Sequence, residues 1–282
     1  MILSVFADEI NREDPLRALQ LAREWGSKHV EIRSLPGGRF PRMSDGDLDE
    51  YRMQLGDLGL AVSGVSPGFF KCPVGDTSVA AGLEEGLPRA CDWARRLGTN
   101  HVSSFACRRE GAGGPPHAVV DVVGRMGDIT AAHGCSLILE NEAACWGNTG
   151  LEAHGIIRAA GPERVSLCWD PGNSANAGAS GPFTNEYAQV KEQVTHVHMK
   201  NFDLDSRKWN LLDTGAVDWP ACLRALSDDG YAGFLVIETH RHDSDIPESD
   251  SPGLSELERN TRRNFELVQG FLRNLQGPIG GR

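Results

Sequence analysis

The sequence predicts one α/β domain, a (β/α)8 barrel of the TIM type, because short strand-like runs alternate with longer helical segments. The strand-like runs number eight, and a helical stretch follows each of them. Glycine ends helix after helix, which is typical of a helix that leads directly into the next strand. No linker or change in composition divides the chain, so we expect a single domain over residues 1–275, followed by a flexible, glycine-rich tail at 276–282.

The alternation holds along almost the whole chain. The predicted strands are 2–6, 29–33, 60–65, 101–106, 136–140, 165–169, 195–200 and 233–238. The predicted helices are 14–25, 44–58, 79–97, 116–133, 151–160, 185–192, 218–229 and 255–275. A doubly wound sheet is the alternative, but it normally has fewer strands, and no G-x-G-x-x-G follows the first strand here.

Composition limits the partners and the compartment. The chain has a formal net charge of −11 and a pI of about 5.3, and this balance argues against a nucleic-acid partner, which requires basic surface, although it leaves room for a local basic patch. Seven cysteines without a C-x-x-C pair indicate reduced thiols. No segment resembles a signal peptide or reaches the length of a transmembrane helix. We therefore expect a cytoplasmic protein with no membrane partner.

The seventh predicted strand carries an unusual set of side chains. With a period of two, His196, His198 and Lys200 share one face, and Val197 and Met199 share the other. Polar groups that face a closed interior must be satisfied, and a bound cation with its substrate would satisfy them. A surface strand with a chance H-x-H is the alternative.

Four residues at the ends of the late strands form a candidate metal site. Glu140, Asp170 and Glu238 each follow an apolar run, and His198 lies in the seventh strand. In a (β/α)8 barrel, the active site lies at the carboxyl ends of the strands, so these side chains should converge. Three carboxylates and one imidazole suit Mn²⁺ first, with Mg²⁺, Co²⁺ or Zn²⁺ as alternatives.

The chain resembles the xylose isomerase-like TIM-barrel superfamily, a group of sugar phosphate isomerases and epimerases that includes the ketose 3-epimerases, inosose dehydratase and endonuclease IV. The resemblance extends from Ile2 to the last helix, with the motifs in the family's order. The matching segments are Leu139-Glu140-Asn141, Trp169-Asp170-Pro171-Gly172-Asn173, His196-Val197-His198-Met199-Lys200, Gly215-Ala216-Val217-Asp218-Trp219 and Val236-Ile237-Glu238.

The resemblance implies a role for each candidate ligand. Glu140, Asp170, His198 and Glu238 would bind the metal, and Glu140 and Glu238 would be the acid and the base on opposite faces of the substrate. The implied reaction is an isomerisation or epimerisation of a sugar, keto-sugar or polyol derivative through a metal-stabilised enediolate. A homo-oligomer, a dimer or a tetramer, is also implied.

The substrate contacts of the ketose 3-epimerases do not transfer to this chain. Lys200 stands where they have a glutamate, and it is a further catalytic candidate that could polarise a carbonyl or pair with a carboxylate or phosphate. Asn173 lies in the region where several relatives use a histidine. Glu142 and His240 share the faces of Glu140 and Glu238. Glu142, Asn173, His240 and Lys200 are therefore the predicted substrate-binding residues.

Three alternative functions remain open at this point. A lyase on the same scaffold, such as an inosose dehydratase or a 3-keto-glycoside eliminating enzyme, would begin with the same proton abstraction. Phosphodiester cleavage would need more histidines at strand ends than the chain offers. A non-catalytic binding subunit is the third alternative. The acidic loop 241–255 is interpreted as a lid, a subunit contact or a disordered segment.

Overall fold

The computed structural model describes residues 1–35 and 38–275, and it confirms the barrel. Eight parallel strands form a closed ring in the order β1-β8-β7-β6-β5-β4-β3-β2. The strands are β1 Ile2–Phe6, β2 His29–Ile32, β3 Ala61–Val65, β4 His101–Ser104, β5 Ser136–Glu140, β6 Val165–Trp169, β7 Val194–Met199 and β8 Phe234–Ile237. The tail predicted at 276–282 lies outside the described residues.

The helices surround the ring and agree with the predicted positions to within a few residues, apart from the third. They are α1 Pro15–Glu24, α2 Asp45–Leu58, α3 Leu87–Arg96, α4 His117–Ala132, α5 Gly150–Ala160, α6 Pro182–Val190, α7 Trp219–Asp228 and α8 Glu256–Leu275. Capping side chains explain where several of these helices begin. Ser44 and Asp47 form a reciprocal capping box at α2, and Asp14 and Asp218 accept backbone N–H bonds at the starts of α1 and α7.

The helix predicted at 79–97 is interrupted. It consists of Thr77–Ala81, a π-helical turn at Gly82–Gly86 and then α3. Aromatic rings pack directly on the two glycines of the turn, because a Cβ on Gly82 would lie 3.1 Å from Phe70 and one on Gly86 would lie 2.9 Å from Phe69. The helix therefore widens where these rings press against its backbone.

Two segments predicted as loops contain additional structure. A short helix, Pro171–Asn176, follows β6, and Asp170 caps it by accepting the backbone N–H of Asn173 at 2.8 Å. An antiparallel hairpin follows β7 and pairs Asn201–Asp203 with Lys208–Asn210. Both lie at the carboxyl ends of the strands, where they support the site described below.

The barrel interior is polar at its centre. Val197 and Met199 of β7 belong to the hydrophobic core that packs the ring against the helices. His196 and His198 point the other way, since both contact Glu31 of β2, a strand that is not adjacent to β7 in the ring. The predicted two-residue period of the seventh strand is therefore confirmed, and its imidazoles lie inside a closed barrel.

Glu258 links the last helix, α8, to the first helix, α1, and to the loop before it. Its buried carboxylate pairs with both Nε and Nη2 of Arg17, at 2.5 and 2.9 Å, and accepts further bonds from Asn11 and from the backbone N–H of Ser255. Burial alone would raise the pKa of Glu258, but these hydrogen bonds outweigh it and lower the pKa from 4.5 to about 2. Glu258 therefore favours folding in its ionised form.

The Glu258→Gln variant is expected to be destabilised at neutral pH by about 1.5–3 kcal/mol, the usual value of charge-assisted hydrogen bonds. Because the pKa of Glu258 is lower in the folded state, the difference from wild type should be complete above about pH 5 and should shrink as the pH falls toward 2. Urea unfolding at several pH values measures it. Glu266→Gln, which breaks the exposed pair with Arg262, is the control and should cost less than about 0.5 kcal/mol. A pH-independent difference would contradict the assignment.

All seven cysteines are free, as expected for reduced thiols. Within residues 1–35 and 38–275, the helices are all too short or too polar to cross a membrane.

Candidate metal centre and active site

Four side chains meet at the carboxyl ends of β5 to β8. One ligand atom from each of Glu140, Asp170, His198 and Glu238 lies within 4.8 Å of the other three, and all four residues are buried. The parallel register accounts for the meeting, because Glu140 pairs with Cys168 on β6, and His198 pairs with Val236 on β8. The structure thus brings together the four residues that the sequence suggested as metal ligands.

The side chain of Asn141 clamps the ends of β5 and β6 together. Its Oδ1 accepts the backbone N–H of Asp170 at 2.8 Å, and its Nδ2 donates to the backbone carbonyl of Asp170 at 2.7 Å. Asn173 adds a second link by donating to Glu140 Oε1 at 3.3 Å and to the Asn141 carbonyl at 2.9 Å. The two side-chain amides therefore fix Glu140 and Asp170 relative to each other.

The donor set fits a bound cation. His198 Nδ1 is buried without a hydrogen-bond partner among the described residues, yet it lies 3.3 Å from Glu140 Oε1 and 3.6 Å from Glu238 Oε2. This position between two carboxylates requires a positive charge, which either a proton on Nδ1 or a bound cation supplies; burial lowers the pKa of His198, but the negative charges around it raise the pKa well above its usual value. Three carboxylates and one imidazole are ligands that divalent ions such as Mn²⁺ and Mg²⁺ accept.

Two other groups of three residues have similar spacing, and each shares a member with the four. They are Glu31, His196 and His198, and Glu9, Glu238 and His240. In the first group, both carboxylate oxygens of Glu31 are already bonded to imidazole nitrogens. Direct hydrogen bonds therefore satisfy that group without an ion.

Glu31 orients His198. Its Oε1 accepts from His198 Nε2 at 3.1 Å, and its Oε2 contacts His196 Nε2 at 2.6 Å, with all three residues fully buried. A carboxylate only accepts hydrogen bonds, so the proton of a neutral His198 must sit on Nε2. Nδ1 is then free to bind a metal, an arrangement common in metal sites, where it also increases the basicity of the ligand.

The Glu31→Gln variant is therefore expected to bind Mn²⁺ about 10- to 100-fold more weakly than wild type, the usual effect of removing a carboxylate that orients a histidine ligand. A glutamine can accept from one imidazole but presents an amide N–H₂ to the other. Calorimetric titration of the metal-free protein measures the change. Glu192→Gln, at an exposed position just before β7, is the matched control. Equal Mn²⁺ affinities of wild type and Glu31→Gln would remove Glu31 from this role.

Lys200 places an ammonium group in the same cluster. Its Nζ lies 2.8 Å from Asp170 Oδ2 and 2.7 Å from Glu238 Oε2. Glu140 Oε1 is 3.9 Å away. Burial lowers the pKa of Lys200, but the charges of Asp170 and Glu238 outweigh it and raise the pKa well above the usual value. Lys200 is therefore a permanent cation beside the candidate metal ligands.

The segment Gly215–Trp219, singled out by its sequence, supports Lys200. Trp219 Nε1 donates to the backbone carbonyl of Lys200 at 3.2 Å, and Asn201 donates to the carbonyl of Val217 at 3.1 Å. On the opposite side, Gly172 allows the helix after β6 to approach, since a Cβ there would lie 2.8 Å from Lys200 Cγ. Lys200 is thus fixed from both sides.

Glu238 is the most heavily compensated acid of the site. Arg33 Nη1 donates to its Oε1 at 2.7 Å, and Arg33 also pairs with Asp8 and Glu9. Burial alone would raise the pKa of Glu238, but the charges of Lys200, His240 and Arg33 hold it well below the usual range. Glu238 is accordingly ionised at neutral pH, whereas burial raises the pKa of Asp170 to about 7.

A cavity of about 250 Å³ opens over these residues and is lined almost entirely by polar side chains. Glu140, Glu142, Glu238 and His240 all line it. Glu142 pairs with Lys71 at 2.6 Å on the wall, and His240 contacts Glu238 Oε1 at 3.4 Å. Asn173 and Lys200 are not among the residues that line the cavity. They contact its carboxylates from the buried side, so these carboxylates lie between them and a bound substrate.

The loop predicted as a lid, a subunit contact or a disordered segment is folded onto the barrel at its start. Asn260 of α8 donates to the backbone carbonyls of Arg241 and Asp243, at 3.1 and 2.9 Å. Arg241 also donates to Asn210 of the hairpin after β7. His242, next to this anchor, lines the cavity.

Sequence reasoning missed the two acids that follow the first strand. Asp8 and Glu9 follow β1 directly, and both pair with Arg33 in the site. The same signal, an acid at the end of an apolar strand, identified Glu140 and Glu238 and would have identified these. In the second strand and just after it, Arg33 lines the cavity, whereas Glu31 lies outside the cavity lining and is bonded to two histidines.

The closed barrel and the acidic cluster at its carboxyl end define a class of barrel proteins with a site suited to a divalent metal. The family described as xylose isomerase-like TIM barrel matches residues 19–270. The chain belongs to this family, as the sequence motifs suggested.

Individual relatives are distant. An inosose dehydratase of Geobacillus thermodenitrificans (strain NG80-2) is 21% identical over 140 residues, which are 44% of this chain and 46% of that protein. The chain thus aligns with about half the length of this curated relative.

Solved structures match over nearly the full length and show the fold. An L-ribulose 3-epimerase is 19% identical with a TM-score of 0.74, covering 98% of this chain and 96% of the other. A xylose isomerase-like TIM barrel protein from Mycobacterium smegmatis, in complex with magnesium, is 21% identical with a TM-score of 0.69 and 97% coverage of both chains. The probable 3-DHS dehydratase of Bacillus anthracis is 14% identical with a TM-score of 0.74, covering 95% and 99%.

Proposed function

We propose that this protein is a divalent-metal-dependent isomerase or epimerase that acts on a sugar, keto-sugar or polyol derivative by proton abstraction next to a carbonyl group. The observation that carries the proposal is the meeting of Glu140 and Glu238 at one polar cavity, with their oxygens within 4.8 Å of each other and of His198. An epimerisation that inverts a carbon centre uses one acid/base group on each face of the substrate, and two carboxylates at one site can fill both roles. The names of the relatives, epimerases and dehydratases, agree with this chemistry.

The metal would be held by Glu140, Asp170, His198 and Glu238. We propose Mn²⁺, with Mg²⁺, Co²⁺ or Zn²⁺ as alternatives; when bound, it supplies Lewis-acid stabilisation of the negative charge that develops on the substrate oxygens. The magnesium complex of the Mycobacterium smegmatis relative supports a divalent ion.

The protein's own residues supply the proton transfer. Glu238 is ionised because Arg33 and Lys200 donate to its two oxygens, so it can remove the proton from the carbon beside the carbonyl. Glu140 returns a proton on the other face, and Asn173 holds its carboxylate in place. His240 and Glu142 line the cavity and can hydrogen-bond substrate hydroxyls. Lys200 remains beneath them as a fixed positive charge.

A lyase is the second candidate, and the position of Lys200 favours it. Elimination starts with the same proton abstraction but also places negative charge on the departing hydroxide or alkoxide. The fixed positive charge of Lys200, held among the acids, would stabilise that charge. The partial similarity to an inosose dehydratase agrees with this alternative.

Hydrogen exchange with solvent tests the proposal. The Mn²⁺-loaded protein is incubated in D₂O with D-fructose, L-ribulose and inososes, and proton NMR follows each compound. Deuterium in an epimeric product without loss of water supports the isomerase, and formation of an unsaturated ketone supports the lyase. Failure of every compound to exchange, in a protein that binds both metal and compound, would refute both.

A further inference from the structure

Arg39 lies in the cavity wall across from the carboxylate cluster. It belongs to the short hairpin after β2, in which Ser34 pairs with Arg39. Its half-buried side chain lines the same cavity as Glu140 and Glu238, and Ser34 and Ser66 line it beside Arg39. None of these three side chains takes part in the proposed proton transfer.

Arg39 forms no ion pair within the part of the chain that the structure describes, although the more distant charges of Glu140, Asp8 and Glu238 act on it. Arg33 and Lys71, which line the same cavity, are paired with carboxylates. Among residues 1–35 and 38–275, by contrast, no carboxylate lies within ion-pair distance of Arg39. Its closest acceptor is the Ser66 backbone carbonyl, 3.4 Å from Nη2, and its buried Nε has no hydrogen-bond partner.

The surrounding chain is shaped to keep the guanidinium in place. Gly68 has a φ of +70°, and a Cβ at this position would overlap the guanidinium of Arg39. Burial and the charge of Arg33 lower the pKa of Arg39 below its usual value, so this arrangement costs free energy in the unliganded protein. A partly buried charge without an ion-pair partner is a group that a ligand of opposite charge can satisfy.

We propose that Arg39, with the hydroxyl groups of Ser34 and Ser66, forms an anion subsite for a carboxylate or phosphate group of the substrate. The planar guanidinium matches either group with two parallel hydrogen bonds. This inference rests on the proposed function, because the metal cluster would hold the reacting carbonyl end while Arg39 binds the acidic end. The substrate is then an acidic keto-sugar or keto-polyol.

Three compounds with one carbon skeleton test the subsite. D-Fructose is neutral, D-fructuronate carries a carboxylate at the far end, and D-fructose 6-phosphate carries a phosphate there. Calorimetric titration in saturating Mn²⁺ gives their affinities for wild type, Arg39→Met and Arg42→Met. Arg42 is the matched control because it is exposed in the same loop and lies outside the lining of this cavity.

The wild-type protein is expected to bind one of the two anions about 10- to 100-fold more tightly than D-fructose, the equivalent of one charge-assisted hydrogen-bonded pair. The better anion distinguishes carboxylate from phosphate. Arg39→Met should abolish this preference and leave D-fructose binding unchanged, and Arg42→Met should behave as wild type.

The subsite would be overturned if the two anions bind no more tightly than D-fructose, or do not bind at all. It would also be overturned if Arg39→Met weakens the binding of all three compounds equally. These results are independent of turnover. If an anion binds through Arg39 and does not exchange hydrogen, the proposed reaction fails and the subsite stands. If D-fructose exchanges and the anions do not bind, the reaction stands and the subsite fails.

Discussion

Replacement of Glu238 by glutamine is expected to lower kcat by about 10²- to 10⁴-fold, the usual contribution of a general base. The amide cannot accept the proton from carbon, although it keeps the shape of the side chain. Arg33 and Lys200 donate to different oxygens of Glu238, so the glutamine keeps one of these contacts and turns its N–H₂ group toward the other donor; urea unfolding of the variant checks that the barrel remains folded. Turnover of an exchanging keto-sugar is measured at Mn²⁺ concentrations that saturate the variant, which separates the lost base from weaker metal binding.

The matching Glu140→Gln variant makes this prediction more specific. If the two glutamates act on opposite faces, each variant should lose hydrogen exchange from one epimer and keep it from the other. Glu192→Gln is the control and should exchange both epimers at the wild-type rate. Exchange of both epimers by Glu238→Gln at saturating Mn²⁺ would contradict the proposed base.

Replacement of Lys200 by methionine is expected to destabilise the metal-free protein by about 3–5 kcal/mol, the usual cost of leaving buried charges without their partner. Lys200 Nζ is within 2.8 Å of both Asp170 and Glu238, and Glu140 is the third acid beside it. Without the ammonium, the three carboxylates repel one another in a buried site. A divalent ion replaces the missing charge, so Mn²⁺ should stabilise the variant more than it stabilises wild type.

Urea unfolding in EDTA and in Mn²⁺ measures both parts of this prediction. Lys191→Met is the matched control, because Lys191 pairs with Asp229 at 2.8 Å on the surface, and its loss should cost less than about 1 kcal/mol. A metal-free Lys200→Met protein as stable as wild type would show that Lys200 does not compensate the cluster.

The fold could be predicted because its signals are local and repeated. Eight apolar runs, each followed by a helical stretch, place every barrel strand to within about two residues of its position. The same regularity explains why Glu140, Asp170, His198 and Glu238 could be grouped. The closed ring forces residues at the ends of neighbouring strands to converge, whatever their separation in sequence.

The remaining parts of the site depend on contacts that no local pattern records. Glu31 bonds to His196 and His198 across the barrel, between strands that are not neighbours. Arg39 is positioned by a short hairpin, whose two strands are two residues long, and by the space that Gly68 leaves for its side chain. Such positions follow from the closure of the whole ring, and the period of a single strand does not predict them.

Bound metal in the purified protein tests the central claim most directly. Elemental analysis after gel filtration, with Mn²⁺ supplied and excess removed, is applied to wild type, His198→Ala and the Glu192→Gln control. We expect about one Mn²⁺ per chain in wild type and the control, and little in His198→Ala, because the imidazole Nδ1 that faces Glu140 and Glu238 is gone. A wild-type protein that holds no metal, or a His198→Ala variant that holds as much as wild type, would contradict the four-residue metal centre and the reaction proposed for it.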